Sequence, residues 1–380
     1  MKWPLVSLNR ICKTQYGYTA SAEDSKIGPK YLRITDIAGG PIDWDSVPYC
    51  KISESDYQNY KLNIGDIVIA RTGNTTGYAK LIRKDNNAVF ASYLVRLKLN
   101  ADIAESGYIG RLIESDIYKR FVNSIKGGAA QGNANAKTLT LFKLFLPPVD
   151  VQKKITSNIS TYDDLIDINR RRIQLLEESA RLLFREWFVY FKFPNHEKVK
   201  IVDGVPEKWE KGLFMDVAKV RKGKNITFEQ AIEGDIPVVG GGLDPTYYHD
   251  KANVSAPVIT ISASGANAGY VNLYNSDIWA SDCSYIDKTA TKYIFYIYLK
   301  LESIQSSIFG FQVGAAQPHV YPKDLNRLKI LNPPDELINK FEQIVSPIFN
   351  MVKNLKFQNQ KLVQARDLLL PRLMSGATEV

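Results

Sequence analysis

The chain repeats itself, and that repeat constrains any fold it can adopt. GAAQGNANAKTLTLFKLFLPPVDVQKKI, from Gly128 to Ile155, returns as GAAQPHVYPKDLNRLKILNPPDELINKF, from Gly314 to Phe341, with every matched position 186 residues apart and no gap. Such self-similarity implies two copies of one supersecondary unit. The same repeat is traced further forward with looser spacing. Trp3 matches Trp209 at 206, Gly73, Gly77 and Tyr78 match Gly265, Gly269 and Tyr270 at 192, and FASYLVRL (Phe90–Leu97) matches WASDCSYI (Trp279–Ile286) at 189. Each half is therefore a domain of variable length followed by an element of fixed length.

The variable domains read as short strands broken by Gly, Asn, Asp and Pro, as in KYLRITDIAGGPIDW and GDIVIARTGNTTGYAKLI. Helical patterns appear late in each, at Tyr108–Ile125 and Lys292–Phe309. This predicts a mixed, β-rich α+β domain in each half. In the fixed-length element, Ile155, Ile159, Tyr162, Ile166, Asn169, Ile173, Leu176, Ala180, Leu183 and Trp187 alternate steps of four and three, the seam of a coiled-coil helix. Adding 186 gives Phe341, Val345, Ile348, Val352, Leu355, Asn359, Leu362, Arg366, Leu369 and Leu373, again with an Asn inside. Pro347 and Pro371 fall within the second pattern and predict a bend or a local shortening there.

The two asparagines decide how the helices run. Antiparallel partners have residue numbers of constant sum, and Ile155 with Leu373, Asn169 with Asn359 and Trp187 with Phe341 all give 528. That register places the two amides opposite each other. A parallel register would face Asn169 with Leu355 and leave two buried amides unpaired, at ~1–3 kcal/mol each. The antiparallel arrangement implies a domain at each end of a seam of roughly 48 Å, at ~1.5 Å per residue, related by a pseudo-twofold axis. Duplex DNA repeats every ~34–36 Å, so the predicted target is a split site on DNA.

Composition narrows the partners and the setting. With 380 residues and 45% hydrophobic content the chain can bury two ordinary cores. A net charge of +9 suits a polyanion. Three cysteines, Cys12, Cys50 and Cys283, are too few and too scattered for a disulfide framework or a metal knuckle. The start lacks the apolar core of a signal peptide and no run reaches the ~18 apolar residues of a membrane span. A cytoplasmic protein without a membrane segment is expected.

ESARLLFREWFVYFKFP (Glu178–Pro194) with HEKVK and VDGVPEKWE after it, the terminal ARDLLLPRLMSG (Ala365–Gly376), and the paired SGANAGY and GAAQ segments resemble the specificity subunit of Type I restriction-modification enzymes over the whole chain. The resemblance implies an α+β fold of two β-rich target-recognition domains separated by two long antiparallel coiled-coil helices. Residues 1–148 would form the first recognition domain, 149–192 the first helix, 193–333 a linker and the second recognition domain, and 334–380 the second helix and tail. It further implies sequence-specific binding to a bipartite site on double-stranded DNA, two bound methyltransferase subunits, and motor/nuclease subunits joining that core. This chain would be non-catalytic and carry no cofactor or metal. S-adenosylmethionine, ATP and magnesium would belong to the partners. The alternative is a coiled-coil assembly scaffold that does not read DNA.

Residues present in both domains cannot explain two different half-sites, so Tyr78, Tyr270, Gln131 and Gln317 are expected to fix loops or hold phosphates. Base reading falls on unshared residues: Arg71, Asn74 and Asn133 in the first domain, Tyr247, Asn267 and His319 in the second, with Thr72 and Thr75 beside them. Arg170, Arg171 and Arg172 lie off the seam, where the alternatives are a solvated face or a contact to DNA phosphate or a partner subunit, and Arg185, Glu186 and Phe188 are candidates for docking a methyltransferase, the alternative for Phe188 being cover by its own second domain. Asn169 and Asn359 set the register. Asn332-Pro333-Pro334 resembles the Asn/Asp-Pro-Pro-aromatic loop that holds a flipped base in amino-methyltransferases, but Asp335 replaces the aromatic. The matching Leu146-Pro147-Pro148-Val149 lacks the polar residue too, and no glycine-rich cofactor loop stands upstream. The segment reads as the stop between domain and helix.

Overall fold

The computed structural model describes residues 3–126, 134–314, 318–376 and 378. They divide into two compact units, Met1–Ile166 with Lys361–Val380 and Asp167–Gln360. The first unit contains β1 (Leu5–Ser7), β2 (Cys12–Tyr16), β3 (Lys30–Leu32), β4 (Ile67–Ala70), β5 (Ala79–Leu81), β6 (Ala88–Phe90), β7 (Leu94–Leu99) and β8 (Lys143–Phe145). Helices α1 (Glu54–Tyr60), α2 (Ser106–Glu114), α3 (Asp116–Lys126) and α4 (Ala136–Leu139) follow in the same chain order, and α5 (Val149–Phe188) is the first long helix. An antiparallel sheet of order β2-β7-β4-β5 lies at the centre, beside a parallel pair β3-β6 and an antiparallel pair β1-β8. Strand β4 is buried along its whole length. Successive side chains point to opposite faces, so Ile67 and Ile69 enter a core with Ile109 and Ile113 of α2, while Val68 and Ala70 enter a second core with Leu32 and Phe90. A strand covered on both faces is apolar without alternation.

The second unit contains β9 (Ile201–Val202), β10 (Val205–Pro206), β11 (Glu210–Leu213), β12 (Arg221–Lys222), β13 (Ile236–Val239), β14 (Tyr247–His249), β15 (Val258–Ser262), β16 (Val271–Tyr274), β17 (Trp279–Ala280), β18 (Cys283–Ile286) and β19 (Lys329–Asn332). Its helices are α6 (Ile294–Ser303), α7 (Gln305–Phe309) and α8 (Pro322–Asn326), and α9 (Asp335–Ser375) is the second long helix. The sheet order β12-β18-β15-β16 restates β2-β7-β4-β5, the parallel pair β13-β17 restates β3-β6, and β11-β19 restates β1-β8. Strand β14 widens the parallel pair, and the hairpin β9-β10 has no counterpart among the described residues of the first unit. Gly17 and Gly223 mark one shared constraint. A Cβ there would lie 2.2 Å from the Ala91 carbonyl oxygen and 2.3 Å from that of Ser281, so neither position admits a side chain.

Both long helices are unbroken, with 40 and 41 residues. The shortening that Pro347 and Pro371 predict in α9 does not occur: each removes one backbone N–H, but the apolar seam on either side keeps the helix in place. In the first unit Ile155 and Ile159 of α5 share a core with Leu373 and Met374 of α9. In the second, Ile173 packs with Val352 and Leu355, and Ala180, Phe184 and Trp187 pack with Phe341, Val345 and Phe349. The pairing is antiparallel in each unit. Asn169 Nδ2 donates to Asn359 Oδ1 at 3.0 Å. Arg366, the charged member of the second seam, donates to Asp163 at 2.9 Å, and the other oxygen of Asp163 accepts from the buried Arg111 of α2 at 2.8 Å. The four-segment division drawn on sequence follows the repeat, whereas packing cuts each long helix in two, after Ile166 and after Gln360.

The helices also anchor the β-rich parts, by different chemistry at matched positions. In the first unit Glu105 caps α2, accepting from the N–H groups of Gly107 and Tyr108, while Thr156 of α5 donates to that carboxylate at 2.5 Å. In the second unit position 342, the repeat equivalent of 156, is itself the carboxylate: Glu342 of α9 accepts from Phe295 N–H and Tyr296 N–H of α6. Burial raises the Glu342 carboxyl pKa although those two bonds lower it.

Two consequences are measurable together. Burial pushes the Cys12 and Cys50 thiols up to about 11 and the Cys283 thiol up to about 12, and the thiolate is the reactive form. At pH 8 the native cysteines should therefore react slowly with a disulfide reagent in the folded chain and rapidly once it is unfolded. Against that quiet background, Asn169→Cys with Asn359→Cys should cross-link readily, and Asn169→Cys with Leu355→Cys more slowly. Equal rates on a non-reducing gel would refute the seam register.

Candidate nucleic-acid interface

The glycines shared by the two halves of the repeat build one loop twice. After β4, Ala70 N–H donates to Tyr78 O and Gly77 N–H to Ala70 O, both at 2.8 Å, closing the loop Arg71–Tyr78. After β15, Ser262 N–H donates to Tyr270 O at 3.0 Å and Gly269 N–H to Ser262 O at 2.8 Å, closing Ala263–Tyr270. Gly73 and Gly265 sit at φ 68° and 79°, and Gly77 and Gly269 at 92° and 89°, a region that favours glycine. A second segment joins each loop at the same place. Ala134 N–H donates to Arg71 O at 2.8 Å, and Val320 N–H to Ala263 O at 3.0 Å. The turn before β7 and β18 joins as well, with Arg71 N–H on Tyr93 O and Ala263 N–H on Asp282 O.

These shared bonds align the two loops residue by residue: Arg71 with Ala263, Thr72 with Ser264, Asn74 with Ala266, Thr75 with Asn267, and Tyr78 with Tyr270. The scaffold is common and the side chains on it are not. Arg71 Nε donates to Ser92 O at 3.0 Å and its guanidinium lies 5.0 Å from the Tyr16 ring centroid. Tyr16 also accepts from Ala136 N–H, which ties this platform to the second segment. Held by the platform and one backbone bond, the guanidinium has its two terminal nitrogens without a partner among the described residues. Asn74 is exposed; Thr72 and Thr75 are half-buried, and Thr75 Oγ1 donates to Thr72 O. Lys119 Nζ lies 5.2 Å from the Tyr78 ring.

In the second unit Asn267 is half-buried and Tyr270 exposed on the equivalent loop. His319 bridges to Ser264 and to Val313, and its ring stacks on Tyr321 at 6.0 Å, so the structure brings it to the same cluster. Tyr247 is half-buried on β14, with its hydroxyl donating to Ile226 O at 2.5 Å. Gln131, Asn133 and Gln317 lie outside the described residues. Sequence reasoning passed over Tyr16, Tyr93 and Asp282. Tyr93 and Asp282 were legible as the first differing position after the shared Ala-Ser of FASYLVRL and WASDCSYI, whereas Tyr16 reaches the loop through sheet pairing.

The helix residues separate into two kinds. Arg170, Arg171 and Arg172 are exposed on α5, the first paired to Asp167 and the second to Gln174 on the same face. Arg185 is exposed and bonds the Tyr190 hydroxyl at 2.6 Å, and Glu186 pairs with Lys192 at 3.6 Å. Phe188 differs. It is 5% exposed, and its ring meets Tyr296 and Phe341 at 4.9 Å and Trp209 at 6.0 Å. It is a core residue of the second unit and offers no surface to a partner subunit. Asn332 sits in β19 opposite Glu210, its Oδ1 buried without a partner among the described residues, and Pro333-Pro334 lead directly into α9. That segment is the joint between strand and helix. Among the described residues no cluster of His, Cys, Asp and Glu could hold a metal ion, and no helix is long and apolar enough to cross a membrane.

Residues 2–178 and 206–365 match the type I restriction modification DNA specificity domain. The type I restriction enzyme MjaIX specificity subunit of Methanocaldococcus jannaschii is 25% identical over 347 residues, spanning 83% of this chain and 76% of the relative. The putative type I restriction enzyme MjaX specificity subunit of the same organism is 24% identical over 405 residues, spanning 100% of this chain and 94% of the relative. The fold resembles that of the type I restriction-modification S subunit from M. genitalium, with a TM-score of 0.64 at 16% identity over 98% of this chain and 96% of that one. Two copies of one β-rich scaffold, two helices paired through a shared seam, and a family match across both halves lead to one assignment: the chain belongs to the type I restriction modification DNA specificity family.

Proposed function

We propose that each loop cluster reads one half of a bipartite site on double-stranded DNA, that the long helices set the spacer between the halves, and that they dock two methyltransferase subunits, which motor/nuclease subunits join. The chain supplies specificity and carries out no catalytic step. S-adenosylmethionine, ATP and magnesium serve the partner subunits, and the complex works in the cytoplasm, with the DNA. The observation that carries this reading is the pair of loop clusters, which present different side chains on one hydrogen-bonded scaffold. Shared groups such as Tyr78 and Tyr270 hold the loop or a phosphate, and unshared groups read bases. Arg71, already oriented by Tyr16 and Ser92, suits the O6 and N7 acceptors of guanine.

The helices support the docking role. Leu165 and Leu182 of α5 and Met351 and Leu368 of α9 are exposed, and they form two pairs 186 residues apart in the repeat. Ile168, Leu175 and Leu182 recur at intervals of seven, an apolar stripe outside the seam. On α9 the equivalents of Ile168 and Leu175 are Asn354 and Lys361, so what the repeats share is the exposed pair 165/182 and 351/368, and one such pair per repeat suits two copies of the same partner.

Duplex binding by the full chain should weaken at least tenfold between about 50 and 200 mM salt. Arg71→Ala should relax one base pair in one half-site at about 1–3 kcal/mol and leave the other half untouched. Absence of duplex binding at the lower salt would leave the assembly-scaffold alternative. For docking, Leu182→Asp should release one methyltransferase subunit, and Leu182→Asp with Leu368→Asp should release both, as read from the mass of the complex by light scattering. A double variant of unchanged mass would refute the docking face.

A further inference from the structure

At the point where the first unit presents Arg71 beside Tyr93, the second presents Ala263 beside Asp282. The loop scaffold is the same and the local charge is of opposite sign. Asp282 is half-buried, and Ser264, itself buried, donates its hydroxyl to Asp282 Oδ2. Ser264 is fixed in turn, because its backbone bridges to His319 and its carbonyl accepts from the Ser262 hydroxyl. The same Ser262 hydroxyl also reaches Gly241 O at 2.8 Å. Gly241 approaches so closely that a Cβ there would meet the Ser264 carbonyl oxygen at 2.7 Å. One carboxylate oxygen is thus locked by a buried hydroxyl. The other, Oδ1, has no partner among the described residues.

A carboxylate beside a polyanion is unfavourable unless it gains a specific donor. In the major groove those donors are exocyclic amines, cytosine N4 above all, while guanine O6 and N7 and thymine O4 present only acceptors. Adenine sets its N7 acceptor next to its N6 donor, so a lone carboxylate is repelled as well as attracted there. We propose that Asp282 is a specificity-determining residue of the second unit, its Oδ1 accepting a hydrogen bond from a base exocyclic amine in the major groove, cytosine N4 in preference to adenine N6, with Ser264 as its positioning residue. The inference rests on the proposed reading of the loop clusters as DNA-facing. It adds that the two units are tuned to opposite edges at one scaffold position, an acceptor-rich edge for Arg71 and a donor edge for Asp282.

The test selects duplexes from a randomised pool with the full chain in complex with its methyltransferase subunits. Asp282→Asn is near-isosteric and can still accept from Ser264, so the scaffold is retained, and folding is checked by circular dichroism. One base pair in one half-site should lose about tenfold in selectivity with Asp282→Asn and with Asp282→Ala, and the other half-site should be unchanged. Ser264→Ala should give a smaller loss at the same pair. Removing the amine chemically identifies the donor. In the selected site, pyrimidin-2-one in place of the cytosine, or purine in place of an adenine, should weaken wild-type binding about tenfold and leave Asp282→Ala indifferent. Sensitivity to the cytosine analogue supports N4, and sensitivity to the adenine analogue alone overturns the preference for cytosine. If no pair is released, or if amine removal affects wild type and Asp282→Ala equally, the assignment of Asp282 fails while the bipartite reading stands. If wild type selects no bipartite motif, the reading itself fails.

Discussion

In the second unit the two long helices pair in one register, and one amide pair fixes it. The Asn169–Asn359 hydrogen bond satisfies each side chain only when the helices run antiparallel at a single offset. A slip of one turn would face each amide with an apolar neighbour, at about 1–3 kcal/mol per unsatisfied group. Each long helix holds a β-rich part within its own unit, Thr156 of α5 reaching the Glu105 cap in the first and Glu342 of α9 capping α6 in the second. The ion pairs among Arg111, Asp163 and Arg366 act in the same way in the first unit. Removing Asp163 would leave the buried Arg111 guanidinium without its ion-pair partner, a loss of roughly 3–5 kcal/mol, whereas Arg366 would keep Asp367.

The two units solve one topological problem with different chemistry. Their sheets share strand order, and the backbone bonds closing the loops match in kind and place. The cores differ: in the first unit α5 and α9 add the Arg366–Asp163 ion pair to their aliphatic contacts, and in the second they meet through Phe184, Trp187 and Phe341. Backbone hydrogen bonding tolerates such exchange, since it asks only for small residues at a few close approaches. Gly17 and Gly223 are two of these, and the loop glycines are others.

Much of this was legible in the sequence, for a physical reason. A coiled-coil seam imposes a fixed period on apolar residues, so direction, register and the amide pair follow from spacing alone. Loop closure requires left-handed backbone at fixed places, so Gly73, Gly77, Gly265 and Gly269 announced the shared scaffold. Interactions between distant elements were not legible. Nothing in the order of residues ties Arg111 to Asp163, or Tyr16 to Arg71, because sheet pairing and helix packing bring them together. For Phe188 the sequence leaves docking and cover by its own domain open, because only the folded chain brings Trp209 and Tyr296 over it. Of the two outcomes that the prolines of α9 imply, a bend or a shortening, the shortening is overridden by packing along the helix.

The way the chain is partitioned bears on the order in which it can fold. The first unit is discontinuous: its sheet, α2 and the first half of α5 need residues 361–376 of α9 to cover Ile155 and Ile159. The second unit is one continuous stretch, with every strand and both of its helix segments between Asp167 and Gln360. During synthesis the later unit therefore has all its parts while the earlier one still lacks its last helix turns, so the part of the chain made first is the part completed last. In that interval the first unit exposes a strip of isoleucine side chains to anything in reach, and only the final residues of α9 close it.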